Sequence, residues 1–151
     1  MFEILMFLFE SYFNAGSYPD SDKLSLKLTA AGFEDEDINL ALSWLSGLKS
    51  LTDTDYPDVI NSSGVRCYSE LETKRISLEA LRFLAFCEQS KMIRPVEREM
   101  ILDRAVALGR ENLPLDKVKL IALMVLWNLH EELDPMLVEE LLSPAEIGPL
   151  H

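Results

Sequence analysis

"VKLIALMVLWNL", residues 118–129, decides how the rest of this chain is read. Only Lys119 and Asn128 in it are polar. A helix that is apolar almost all round must be enclosed by other elements. The stretch therefore predicts a central core helix over about 115–131, and its neighbours are expected to be helices that bury one face against it.

The stretches on either side read that way. Pro95 suits the first turn of a helix that runs to Gly109, with Met100, Ile101, Ala105 and Leu108 on one face and Glu97, Arg98, Glu99, Asp103 and Arg104 on the other. Ser77 caps a helix through "LRFLAFCE", stapled by Ile76 and Leu81, and Ser69 with Glu72 forms a capping box for a short helix over 70–75. On the C-terminal side "DP" at 134–135 starts a helix to about 142. Near the N-terminus "MFEILMFLFESYF" predicts a buried helix over about 2–14, followed by a helix over about 21–31 that stops at Gly32. The acidic run 34–37 then opens a third helix, where the macrodipole favours negative charge. Ile38, Ala41, Leu42, Leu45 and Leu48 recur along it at helical spacing, and Trp44 shares a stripe with Leu40 and Leu48. Core packing of Trp44 is the favoured reading.

These elements predict an all-α protein of about seven helices in a compact, bundle-like arrangement. An N-terminal helical unit (1–50) and a C-terminal one (69–151) are joined by a connector over 51–68, with the option of one shared core. The 151 residues, 48% of them hydrophobic, suffice for such a core: a chain this long buries roughly 70% of the surface it exposes when unfolded. Within the connector "VRCY" at 65–68 alternates as an extended piece would. Val65 and Cys67 are then expected to face the body, and Arg66 and Tyr68 to point away. Two roles fit that pair: a clip, with Tyr68 lying over a neighbouring helix and Arg66 bound to an acid, or a recognition spot of the residue types enriched at interface hot spots. Arg75, Arg94 and Arg98 extend the spot if the fold brings them together.

The formal net charge is −12, unevenly spread. Residues 1–64 carry a net −8 and residues 111–151 a net −6, while 65–110 carry a net +2. The overall field repels phosphate backbones and suits a basic partner protein. A basic middle flanked by acidic ends leaves direct nucleic-acid binding through 65–110 as the alternative.

Catalytic and metal-binding patterns find little support. The chain has two histidines, His130 and His151, and neither is preceded at three residues by the glutamate that a di-iron bundle needs. No nucleophile elbow, phosphate-cradling glycine loop or dinucleotide fingerprint occurs. The linker places Asp53 and Asp55 like the first ligands of a calcium loop, but Asp58 and Gly64 stand where Gly and Glu are required. Cys67 and Cys87 pair with no near neighbour, so a disulfide framework or zinc ribbon is not expected. Glu131, Glu132, Glu139 and Glu140 read as a solvated surface. The N-terminal stretch lacks the basic region and cleavage site of a signal peptide and is shorter than a membrane span. The expectation is a cytoplasmic, non-enzymatic protein without metal or cofactor.

"MFEILMFLFESYF", "AAGFEDEDINLALSWL", "VRCYS", "RFLAFCEQ", "REMILDRAVAL", "ALMVLWN" and the final "LH" together, in order, resemble the bacterial Smg family. Cys87 stands where an aliphatic residue would be expected, which fits an inert thiol. The resemblance implies a small cytoplasmic protein, without catalytic residues to carry over, from a family whose genes often lie near DNA-processing and topoisomerase-like genes. Together these readings point to a non-catalytic protein-interaction adaptor linked to DNA or RNA metabolism, with a nucleic-acid-handling protein as partner. Arg66, Tyr68, Arg75, Arg94 and Arg98 are the candidate partner-binding residues.

Overall fold

The computed structural model describes residues 1–16, 18–51, 67–130 and 132–143. Eight α-helices and no strands occur among them. The chain divides into two compact units, Met1–Leu51 and Thr52–His151.

In the first unit α1 spans Phe2–Tyr12 and runs into a 3-10 turn, Phe13–Ala15. Helix α2, Ser21–Ala30, starts at Asp20, whose carboxylate accepts from the Lys23 amide at 3.3 Å. It ends ahead of Gly32, whose φ of +96° only glycine adopts without strain. Helix α3 spans Asp35–Lys49, with the acidic run 34–37 at its start. Both α1 and α2 pack on α3, and the ring of Phe7 meets that of Phe33 edge-on at 5.6 Å. Trp44 is buried, as its spacing suggests, but Leu40 on the expected stripe is 56% exposed. The core stripe of α3 is instead Ile38–Ala41–Trp44–Leu45–Leu48, and Leu40 lies outside its roughly 100° arc.

The second unit is built around α7, Leu115–Leu129, in which every residue from Val118 to Trp127 is buried. Three helices surround it: α5 (Leu78–Gln89), α6 (Pro95–Val106) and α8 (Pro135–Leu142). The short α4, Glu70–Arg75, packs on α6. Each fully buried Leu or Ile contributes about 1.5–3 kcal/mol, so this interior dominates the stability of the unit.

The predicted caps form. Ser69 and Glu72 make a reciprocal capping box, and the Ser77 hydroxyl accepts from the Ala80 amide at 3.2 Å. Pro95 opens α6 and Asp134 caps α8. Helix α6 ends at Val106 rather than at Gly109, which follows a further turn with φ +69°. Helix α7 ends one residue before His130, whose backbone is extended. At the end of α5 the backbone closes the helix. The Met92 amide donates to the Cys87 carbonyl at 2.8 Å and the Lys91 amide to that of Glu88 at 3.0 Å, the pairing of a Schellman motif. Its left-handed position is held by Lys91 at φ +61°. A side chain costs about 1–2 kcal/mol there.

Between α4 and α5 the backbone of Ile76 bridges in parallel to that of Leu113. No described helix is long and apolar enough to cross a membrane.

Candidate protein-interaction surface

Helix α5 has apolar residues on two opposite sides. Ala80, Leu81, Leu84 and Cys87 are buried. On the other side Leu78 is 62% and Phe86 58% exposed, with the exposed Arg82 one turn from each. Residues i, i+4 and i+8 of a helix form one slowly winding stripe. A solvent-facing Phe beside an Arg on one stripe is a combination of residue types enriched at protein interfaces, with the exposed Glu79 on the same side of the helix.

Tyr68 lies against this helix. Its hydroxyl donates to the Leu81 carbonyl at 3.4 Å and its ring is half-buried, whereas Cys67 is exposed. The facing expected of Cys67 and Tyr68 is thus reversed. A tyrosine ring buries far more apolar area than a thiol and its hydroxyl needs a partner when covered, so Tyr68 takes the inner side. Arg66, Val65, the 53–64 loop and His151 lie outside the described residues.

The remaining candidate arginines do not form one patch. Arg98 is buried, 5% exposed. Its guanidinium bonds Glu88 of α5, and through Nε and Nη2 it holds Oε2 of Glu99 at 2.9 and 2.8 Å. It was expected on a solvated face, but packing of α6 against α4, α5 and α7 encloses that face. Arg75, at the end of α4, is half-buried, with Nη1 3.5 Å from where a Cβ on Gly109 would stand and with Nε buried without a partner among the described residues. Arg94 precedes α6 with its side chain 53% exposed and Nε 3.5 Å from Glu97.

Glu97, its side chain only 4% exposed, is the group that the sequence reading missed. Its Oε1 accepts from the Arg94 amide at 2.7 Å, and its Oε2 pairs with Nε2 of His130 just beyond α7. A carboxylate at the third helical position was a visible capping signal; the His130 contact, 33 residues away, was not. Lys119 is also buried, its ammonium 5.0 Å from the centre of the Phe83 ring. These contacts tie α5, α6 and α7 together. No three His, Cys, Asp or Glu side chains among the described residues could hold a metal ion.

The family described as "Protein of unknown function (DUF494)" matches residues 1–151. The chain is 42% identical over 151 residues to a Protein Smg homolog of Methylobacillus flagellatus, covering 100% of both chains. The chain belongs to the Smg family. Other Smg relatives include those of Azoarcus sp., 47% identical over 95% of this chain and 93% of that one, and of Bordetella petrii, 41% identical over the whole of both. No solved structure matches, so the all-α Smg fold stands here on the arrangement above.

Cys87 behaves as a packing residue. Burial, reinforced by Glu140 and offset by Lys119, pushes its thiol from 9.0 up to about 11. Below pH 9 the thiol is neutral in both the folded and unfolded states, and its contribution is fully present. Between pH 9 and about 11 only the unfolded chain ionises, so stability falls as pH rises, by on the order of 2 kcal/mol. Urea titrations at pH 8.5 and 10.5 should show this loss in the parent and a clearly smaller one in Cys87→Ala. A thiol reagent should label Cys67 first and Cys87 only as the protein unfolds.

Proposed function

We propose that this Smg-family protein is a non-catalytic interaction adaptor of the cytoplasm, working in DNA or RNA metabolism by binding a protein partner. The observation that carries the reading is the outward stripe of α5, where Leu78, Arg82 and Phe86 face solvent beside Tyr68. The buried network supports it from the other side: its ions are spent on holding helices together. Burying them costs desolvation and gives little net stability, which suits a scaffold that must keep α5 in a fixed orientation.

The test is affinity capture from nuclease-treated lysate with the full chain as bait. A partner should be recovered with the parent and lost at least tenfold with Leu78→Ser combined with Phe86→Ser, while far-ultraviolet circular dichroism stays unchanged. Undiminished capture by the folded double variant would remove α5 as the adaptor surface.

A second reading, direct nucleic-acid binding by the basic middle 65–110, draws on the solvent-facing cations Arg82, Lys91 and Arg94. Three such contacts give weak binding that drops steeply with salt. A gel shift at low salt decides it.

A further inference from the structure

We infer that a cavity between α2 and α3 holds the C-terminal residue of a partner chain, with a leucine-sized side chain inside and its carboxylate at Lys49. The inference rests on the protein-interaction reading, but it uses a surface of the first unit, separate from α5.

Shape is the first argument. The start of α2 and the C-terminal half of α3 leave a cavity of about 90 Å³ between them. Leu42, Leu45, Ser46 and Lys49 line it from α3, at the i, i+3, i+4, i+7 spacing of one helix face. Leu24 lines it from α2, and Tyr18 from the segment ahead of that helix. Leu24 and Leu45 are buried, whereas Ser46 and Lys49 are exposed. The deep end is therefore apolar and the mouth polar. An apolar cavity of about 150 Å³ accepts a benzene ring, so in proportion this one accepts roughly four carbons, the branched side chain of a leucine.

Charge is the second. Lys49 pairs with no carboxylate among the described residues, and its Nζ stands 4.7 Å from the centre of the Tyr18 ring. Burial pushes the Tyr18 phenol from 10.0 up to about 12. At neutral pH the ring is uncharged and leaves the ammonium unmatched. Asp20 and Asp22 do not line the cavity, and the Asp20 carboxylate accepts from the Lys23 amide at the start of α2. Lys49 also suits the end of α3, where the macrodipole favours a cation, but that role needs no cavity beside it.

The two arguments together select the occupant. A leucine within a chain carries no charge, and an aspartate or glutamate has no branched aliphatic body. A terminal leucine brings both, and capture of a chain's terminal carboxylate is an established mode of peptide recognition.

The test adds Gly-Ser peptides ending in leucine to the isotope-labelled full chain and follows its amide resonances. The Ser46 and Lys49 amides should shift, and converting the peptide's carboxylate to an amide should weaken binding at least tenfold. A terminal alanine or phenylalanine should weaken it severalfold. Lys49→Gln should bind the acid and the amide equally, with an unchanged circular dichroism spectrum. A lysine that serves only α3 would leave the preference for the acid intact in that variant, and this result would overturn the inference. Ser46→Phe, at an exposed position, should block the mouth and abolish binding. Absence of shifts with the leucine-ended peptide, or equal binding of acid and amide by the parent, would also overturn it. So would free isocaproate binding as tightly as the peptide, which would assign the cavity to small acids. If leucine-ended peptides fail while lysate capture still depends on Leu78 and Phe86, the adaptor reading stands and the chain-end site falls.

Discussion

Arg98→Ala should unfold the second unit at a melting temperature more than about 10 °C below that of the parent, a loss of about 3–5 kcal/mol. The guanidinium it removes is almost fully buried and neutralises two carboxylates at once, Glu88 on α5 and Glu99 on its own helix. Left behind, those acids are only partly hydrated, their side chains 26% and 14% exposed, and have lost the buried cation between them. Most of the cost is therefore the penalty on the survivors rather than the worth of the bridge. A companion variant separates the two terms: Arg98→Met with Glu88→Gln and Glu99→Gln removes every charge of the cluster and should recover much of the loss. Thermal denaturation followed by circular dichroism reads both. A full-sized loss in the triple variant would mean that packing of the side chain, not its charge, holds the helices.

Ile121→Ala tests the central helix. Ile121 is fully buried in α7. Its truncation removes three heavy atoms that neighbouring helices cannot follow inward, and should cost about 2–5 kcal/mol with little change in far-ultraviolet signal at low temperature. Asn128→Ala, at the exposed edge of the same helix, should stay within about 0.5 kcal/mol. Urea midpoints at constant slope measure both, and equal losses at the two positions would contradict the central placement of α7.

The order and ends of these helices were legible because their signals are local. A capping box needs residues three apart, Pro at the first turn needs one residue, and a twelve-residue apolar run needs no partner to be recognised. The charged face of α6 was misread for the opposite reason. Glu97, Arg98 and Glu99 look the same to periodicity whether they meet water or each other. Their fate depends on Glu88 and His130, which lie 10 and 33 residues away. Leu40 shows the same limit on a smaller scale: it matched the Trp44 spacing, but packing of α1 and α2 on α3 chose a stripe that leaves it out. Tyr68 lies against a neighbouring helix, as the clip reading had it, while the facing expected for Cys67 and Tyr68 is exchanged, as one residue of register suffices to do in an extended segment. Of the candidate partner-binding residues, Tyr68 is placed beside α5, Arg94 at the start of α6 next to Glu97, and Arg98 inside the core.

The parallel bridge at Ile76 has a consequence for slow solvent exchange. The Ser77 amide donates to the Leu113 carbonyl, while the amides of Leu113 and Asn112 donate to the carbonyls of Arg75 and Lys74, at 2.9–3.0 Å. This clasp joins the two ends of the segment that holds α5 and α6, and Ile76 and Leu113 are themselves buried. Helix α4 has six residues, too few to persist alone, and it survives as part of the clasp. Deuterium can reach the Ser77 and Leu113 amides only when the clasp opens. These two loop amides should therefore exchange as slowly as the interior of α7, and a ligand seated on α5 would slow them further.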